Sequence, residues 1–212
     1  MSPVPAFRRP VSGFTLLEIM VVLLILSFLV TFLITGGMDI FRTADRAETE
    51  NRIHQLASMI ETWRTREGQY PDDRLPPGLA GNTVNASSEA LFLAFFDPGY
   101  RGQRPDPDWL VNTDRDETIK NHTILDSREL FEIGDAWGNP IAYFESLHYT
   151  DGVQSLRAGV DGEEGGDLWE QEVRARQDQR TGAWENEGGF QLISAGPDGA
   201  FGTEDDIANF GR

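Results

Sequence analysis

Hydrophobic residues are concentrated near the N-terminus of the chain, and a polar, glycine-rich sequence follows them. Residues 14–34 form an apolar run of 21 residues that contains a single charged residue, Glu18. A helix of this length is about 30 Å long, which matches the hydrocarbon core of a bilayer. The pattern therefore predicts a transmembrane helix over residues 14–35.

Residues 1–13 precede this run as a polar leader that carries Arg8 and Arg9 and no acidic residue. Basic residues stay on the cytoplasmic side, so the leader is expected in the cytoplasm and the bulk of the chain outside it. A conventional signal peptide has a shorter apolar region with a cleavage site after it. Here the most suggestive junction, Gly13–Phe14, lies before the run. On length and charge alone, an uncleaved signal anchor is an equal alternative.

Glu18 lies in the apolar run, where a carboxylate costs about 2.5–3.5 kcal/mol on insertion scales and is usually tied to a partner or a function. Cleavage after Gly13 would create an α-amino group at Phe14, and the amine of a neighbouring subunit could neutralise Glu18. Such a contact is heterologous and does not close, as a filament requires. The alternative is a Glu18 side chain that reaches the membrane interface.

The long helix is expected to continue as an amphipathic half within residues 36–71. Apolar residues recur at helical spacing from Ile53 to Trp63, with charged residues between them. Gly68 then breaks the pattern, so the helix should end at about Glu67.

The remaining residues, 72–212, predict a globular head, and the whole chain an α+β fold with a small antiparallel sheet. Residues 90–96 (ALFLAFF) favour a short helix that covers the long one. Residues 141–145 and 190–194 favour strands. The acidic stretch 151–187 is expected to be a solvated surface loop or hairpin.

Composition excludes several classes of function. The chain has 212 residues and a net charge of −17, from 18 basic and 35 acidic residues, which disfavours nucleic acid as a partner. The absence of cysteine excludes disulfides, thiolate catalysis and cysteine-bound zinc. No nucleophile elbow, HExxH motif, P-loop or dinucleotide fingerprint is present, so the chain is not expected to be an enzyme.

A glycine-rich acidic loop, AGPDGAFGTEDDI, occupies residues 195–207. Its glycines allow tight turns that could bring Asp198, Asp205 and Asp206 together. Carboxylates and carbonyls suit Ca²⁺, which takes six to eight oxygen ligands, better than they suit Mg²⁺. On spacing alone, a loop that binds no metal is an equal alternative.

The N-terminal residues resemble the prepilin signal that type IV pilins share with type II secretion pseudopilins. The resemblance rests on the basic leader ending in Gly13, the sequence FTLLE from Phe14 to Glu18, and the apolar run after it. It implies cleavage after Gly13 by a prepilin peptidase and N-methylation of Phe14.

The C-terminal half is similar to the major (G-type) pseudopilin of type II secretion. The similarity lies in DAWGNPIAY at residues 135–143, in FQLISAGPDGAFGTEDDI at residues 190–207, and in QYP after the long helix. The chain is longer than the usual major pseudopilin, with the excess between about residues 97 and 187. Such an insertion could mark a minor or specialised subunit.

The pseudopilin resemblance implies a bound calcium ion in the C-terminal loop. Asp198, Asp205 and Asp206 would supply side-chain ligands, and backbone carbonyls near Ala195 and Ile207 would complete the shell.

It also implies a single-pass protein of the bacterial inner membrane, with its N-terminus in the cytoplasm and its head in the periplasm. The expected partners are further copies of the chain in a helical filament, other pseudopilins, the inner-membrane assembly platform and the prepilin peptidase. The expected function is protein export by type II secretion. A pilin or minor pilin of a type IV pilus, and a membrane-anchored calcium-binding surface protein, are the alternatives.

Overall fold

The computed structural model of the chain describes residues 14–79, 82–160 and 167–211, with the backbone alone for residues 32–42. The predicted leader, residues 1–13, lies outside the described residues.

The first helix, α1, spans Leu16–Glu67 and has 52 residues, which confirms the expected end of the long helix. Gly68 follows with a φ of 82°, and its N–H donates to the Arg64 carbonyl at 2.9 Å. This left-handed residue satisfies a carbonyl of the last turn and stops the helix.

The chain divides into two compact units between Arg42 and Thr43. In the first unit, the large apolar side chains from Leu16 to Val30 are exposed. No helix in the described part of the chain meets the length and hydropathy expected of a membrane span. The final side chains of the span expected over residues 14–35 lie outside those described.

The second unit contains the end of α1, a second helix and three small antiparallel sheets. Helix α2 spans Ala86–Phe96, as the ALFLAFF sequence predicted. The strands are β1 (Leu110–Val111), β2 (Glu132–Ile133), β3 (Ala142–Glu145), β4 (Val153–Gly159), β5 (Leu168–Arg174), β6 (Phe190–Ser194) and β7 (Ile207–Ala208). Their order is β1-β2, β3-β6-β7 and β4-β5, so the α+β prediction is confirmed. Short 3₁₀ helices lie at Pro107–Trp109, Ser146–His148 and Gly196–Asp198.

Strand β3 separates two hydrophobic clusters. Successive residues of a strand point to opposite faces, and Tyr143 joins the larger cluster while Ala142 and Phe144 join the smaller one. The larger cluster contains buried apolar side chains of α1 and α2. These are Ile53, Leu56, Met59, Ile60, Leu91, Phe92, Phe95 and Phe96.

The stretch 151–187 forms the expected hairpin, through the pairing of β4 with β5. Its register places Val153 opposite Arg174 and Gly159 opposite Leu168. Contrary to the expectation of a solvated insertion, Leu156 and Val173 are buried in the smaller cluster. One face of the hairpin therefore belongs to the core.

Both clusters lie within residues 43–212, so we expect this fragment to unfold cooperatively by itself. Leu56 is fully buried, and Leu56→Ala should lower the free energy of unfolding by about 2–5 kcal/mol. Urea unfolding followed by tryptophan fluorescence measures the change. Gln55→Ala, on the exposed side of the same turn, should shift it by less than about 0.5 kcal/mol. Equal midpoints for the two variants would contradict this assignment of the core.

Candidate functional site

Glu18 forms a reciprocal cap with Thr15 at the start of α1. Oε2 of Glu18 accepts from the Thr15 N–H at 2.9 Å and from the Thr15 hydroxyl at 3.0 Å. The Glu18 N–H donates to Oγ1 of Thr15 at 3.2 Å. This is a capping box, in which two backbone donors that lack helical partners are satisfied at once. The Thr-x-x-Glu spacing is its sequence signal, which the analysis of Glu18 as a membrane carboxylate missed.

The predicted processing junction is described on one side only. Phe14 is 80% exposed just before the helix, whereas Gly13 lies outside the described residues. The predicted contact between Glu18 and a neighbour's Phe14 amine requires a second chain and stays a prediction.

The DAWGNP turn ties the sheet to α1 through the buried Asp135. Its Oδ1 accepts from the N–H groups of Trp137 at 2.9 Å and Asn139 at 3.0 Å. Its Oδ2 accepts from the Ser194 hydroxyl at 2.6 Å, and its carbonyl accepts from the Arg52 guanidinium at 2.9 Å. Burial raises the pKa of Asp135 to about 6, although these hydrogen bonds oppose that shift. The turn thus positions the end of β6, from which the C-terminal loop leaves.

The C-terminal loop lies against the β4–β5 hairpin at Gly199. This residue has a φ of 65°, and a Cβ added there would come within 2.1 Å of the Gly159 backbone. Gln171 brackets the contact, because its side chain donates to the Gly199 carbonyl at 2.6 Å and accepts from the Phe201 N–H at 3.0 Å. The loop is therefore held by the hairpin, which sequence reasoning had treated as a separate excursion.

The three aspartates predicted to bind calcium each have a partner within the chain. Oδ1 of the exposed Asp198 accepts from the Ala200 N–H at 2.8 Å, and Asp205 accepts from the Thr203 hydroxyl. The Asp206 carboxylate is 1% exposed and forms an ion pair with Arg176. Its Oδ2 also accepts from the Gly202 N–H at 2.8 Å.

The loop offers the hard oxygen donors that calcium prefers. Ala195 and Ile207, the predicted carbonyl ligands, are buried at its two ends. However, Arg176 already supplies a positive charge to Asp206. No sequence signal links Arg176 to Asp206, because Arg176 lies in the hairpin segment, after β5, and far from the C-terminal loop in the sequence.

Two other groups in the described part of the chain bring three possible ligand atoms within 4.8 Å of one another, and neither contains a loop aspartate. One is Asp72, Asp73 and His148, in which the Asp73 oxygens accept from His148 and from the Glu145 N–H. The other joins three acids.

The second group consists of Glu89, Asp114 and Glu132, and sequence analysis missed it. Alternating oxygen side chains at Asn112, Asp114 and Asp116 were the available signal.

The chain matches the model of the family described as the prokaryotic N-terminal methylation motif, over residues 8–34. It is 26% identical to the type II secretion system core protein G of Escherichia coli (strain K12) over 199 residues. That alignment covers 94% of this chain and 90% of the relative. Its identity to the type II secretion system core protein G of Aeromonas hydrophila is 28% over 102 residues, 48% of this chain and 70% of the relative. No solved structure gives a significant match.

We expect Asp135→Ala to destabilise the second unit, because it leaves the buried Asn139 N–H, the part-buried Trp137 N–H and the buried Ser194 hydroxyl without their acceptor. The loss in the free energy of unfolding should be about 3 kcal/mol, as for other unpaired buried groups. Chemical denaturation measures it, with the exposed Asp151→Ala as a control that should change little. A similar midpoint for both variants would mean that Asp135 does not organise the turn.

Proposed function

We propose that this chain, a pseudopilin of the type II secretion system related to core protein G, assembles into the periplasmic filament that drives protein export. The observation that carries the proposal is the prepilin motif at residues 8–34, combined with similarity to a core protein G along 94% of the chain. The motif alone would fit a type IV pilin equally well. The similarity beyond it favours secretion.

The first unit is the membrane anchor, and the head is periplasmic. We infer a single pass through the inner membrane with a cytoplasmic leader, supported by Arg8, Arg9 and the absence of acidic residues before the apolar run. The exposed apolar side chains of α1 further support it. They require lipid before assembly and the helices of neighbouring subunits afterwards.

We infer that the two oxygens of Glu18 have different tasks in assembly. Oε2 is taken by the cap on Thr15. Oε1 makes no hydrogen bond to any described residue. It is therefore left to accept from the Phe14 amine of the next subunit, which peptidase cleavage after Gly13 exposes and methylation leaves positively charged. The contact fixes the axial offset between subunits. Other pseudopilins join the same filament, and the assembly platform and the peptidase are the further partners that we propose.

Variants of Glu18 and Thr15 separate the cap from the contact between subunits. We expect Glu18→Ala to reduce sedimentable filament and export of secreted protein at least tenfold, about 1.4 kcal/mol per contact. Glu18→Gln keeps a residue suited to the capping box but removes the charge, so it should fail as well. Thr15→Ala removes the cap and keeps the charge, so it should assemble with a smaller loss.

Intact mass verifies in each case that cleavage after Gly13 has occurred. Wild-type assembly by a processed Glu18→Gln variant would rule out the charge contact.

We further propose that calcium binds the C-terminal loop through Asp198, Asp205 and Asp206, with carbonyls near Ala195 and Ile207. The oxygen-only donor set and the close packing of the loop on the hairpin support this proposal. For the three carboxylates to converge, Asp206 has to exchange Arg176 for the ion. The bound ion would hold the loop to the sheet.

Removing calcium should lower the thermal stability of the protein. A ligand that binds only the folded state at a hundredfold excess over its Kd stabilises it by about 2.7 kcal/mol. We expect Asp198→Asn and Asp206→Asn to reduce the calcium-dependent rise in melting temperature. Glu204→Gln, an exposed acid in the same loop, should keep it. An unchanged calcium response in both aspartate variants would exclude the loop as the site.

A further inference from the structure

A buried group of acids lies between α2 and the β1–β2 pair, away from the C-terminal loop. Glu89 projects from the first turn of α2, Asp114 and Asp116 follow β1, and Glu132 lies in β2. We call these four residues the acidic cluster. Oxygen atoms of Glu89, Asp114 and Glu132 lie within 4.8 Å of one another.

Glu89 is the most unusual member of the cluster. Its side chain is 0% exposed, and neither carboxylate oxygen has a hydrogen-bond partner. Burial, together with the neighbouring Asp116, Asp114 and Glu132 carboxylates, raises the pKa of Glu89 to about 10. A buried carboxylate without a hydrogen bond or counter-ion is costly, so natural proteins pair it or let it bind metal.

Further oxygens around Glu89 also lack partners. Oδ1 of Asp114 is buried and makes no hydrogen bond. Both carboxylate oxygens of Asp116 are buried without a hydrogen bond of ordinary geometry, although the Asn82 N–H points towards them. One proton on Glu89 could satisfy one of these acceptors but not the whole set.

The remaining oxygens of the cluster are held in place by polar neighbours. The Asn82 side chain donates to Oδ2 of Asp114 at 2.9 Å. Glu132 accepts from the Asn85 side chain at 2.7 Å and from the Thr113 N–H at 3.1 Å. Such outer contacts orient the ligands of a metal site. Both Glu132 oxygens accept a hydrogen bond, whereas Oδ1 of Asp114 and both Glu89 oxygens accept none and are available to bind an ion.

No arginine, lysine or histidine of the described segments forms an ion pair with the acidic cluster. The donors are all oxygens, without a nitrogen or sulfur ligand, which selects hard cations over zinc or copper. A site with several carboxylates suits the large, variable shell of Ca²⁺ better than the octahedral shell of Mg²⁺.

We propose that the acidic cluster is a calcium site in which Glu89, Asp114 and Glu132 bind the ion and Asp116 adds negative charge beside it. The ion would join α2, β2 and the segment after β1, a part of the head where regular structure is sparse. In a chain without cysteine, it would act as the cross-link that a disulfide otherwise supplies. The proposal does not depend on the loop site or on the filament function.

The test uses the full chain, purified in detergent and stripped with EGTA, with calcium as the only added ligand. Native mass spectrometry counts the bound ions and calorimetry measures their affinity, with a Kd at or below about 1 mM expected. Wild-type protein should bind one ion at the cluster, plus one more if the loop also binds calcium. Glu89→Gln should bind one ion fewer than wild type or weaken that site at least tenfold. Asp126→Asn, an exposed acid in the same segment, should match wild type.

Thermal stability gives a second readout, because the difference in melting temperature between Glu89→Gln and wild type should change sign when calcium is added. Without calcium, Glu89→Gln should melt at or above the wild-type temperature because a neutral amide replaces a buried carboxyl group that the neighbouring acids make costly to ionise. With calcium it should melt below wild type. Asp116→Asn should change in the same direction to a smaller extent, and it replaces Glu89→Gln if that variant does not fold.

Equal calcium binding by Glu89→Gln, Asp116→Asn and wild type would overturn the proposal. So would a loss of all bound calcium in Asp198→Asn with the cluster intact. If the loop site fails instead, Asp198→Asn binds as many ions as wild type, so the two failures are distinguishable.

Discussion

The apolar side chains of the first unit are exposed, and water is a costly environment for them. The described side chains from Leu16 to Val30 include leucine, isoleucine, valine and phenylalanine, and about half or more of the surface of each is exposed. Burying one such side chain is worth about 1.5–3 kcal/mol, so a run of them cannot stay in water. In the proposed filament, lipid and neighbouring helices are the two environments available, and assembly exchanges one for the other. Because both are apolar, the few polar atoms in this segment would decide where one subunit meets the next.

The second unit follows a different principle, since it is stabilised by cores of its own. Strand β3 contributes alternate side chains to two clusters, so α1 and the β4–β5 hairpin cover opposite faces of the same small sheet. Asp135 adds polar contacts, because its carboxylate accepts hydrogen bonds both from its own turn and from Ser194 at the end of β6. A shift of α1 would therefore displace the turn through Arg52, and the turn would displace the start of the C-terminal loop through Ser194.

The sequence was informative wherever a pattern extends over several residues. Helical spacing predicted the second half of α1, the apolar stretch ALFLAFF predicted α2, and short apolar stretches predicted β3 and β6. Strands β1 and β2 have two residues each, too short to show any period, and they were missed.

The ionic contacts were harder to foresee, because they join residues far apart in the chain. Arg176 meets Asp206 across 30 positions, and Glu89 meets Glu132 across 43. Glu89 lies in the first turn of α2, where an exposed acid is common, yet the fold buries it completely. The number and spacing of charged residues along a chain do not reveal which acids the fold will bury.

The capping box also has a consequence for the energetics of maturation. The N-terminal end of a helix is the positive end of its dipole, and a cation placed there costs about 0.3–1 kcal/mol. The proposed cleavage after Gly13 would put an ammonium group at Phe14, next to this end, in place of an uncharged amide. Processing would thus leave the isolated subunit electrostatically worse off. In the proposed filament, the negative charge of an adjacent protomer would relieve that repulsion, so leader removal would itself add to the driving force for polymerisation.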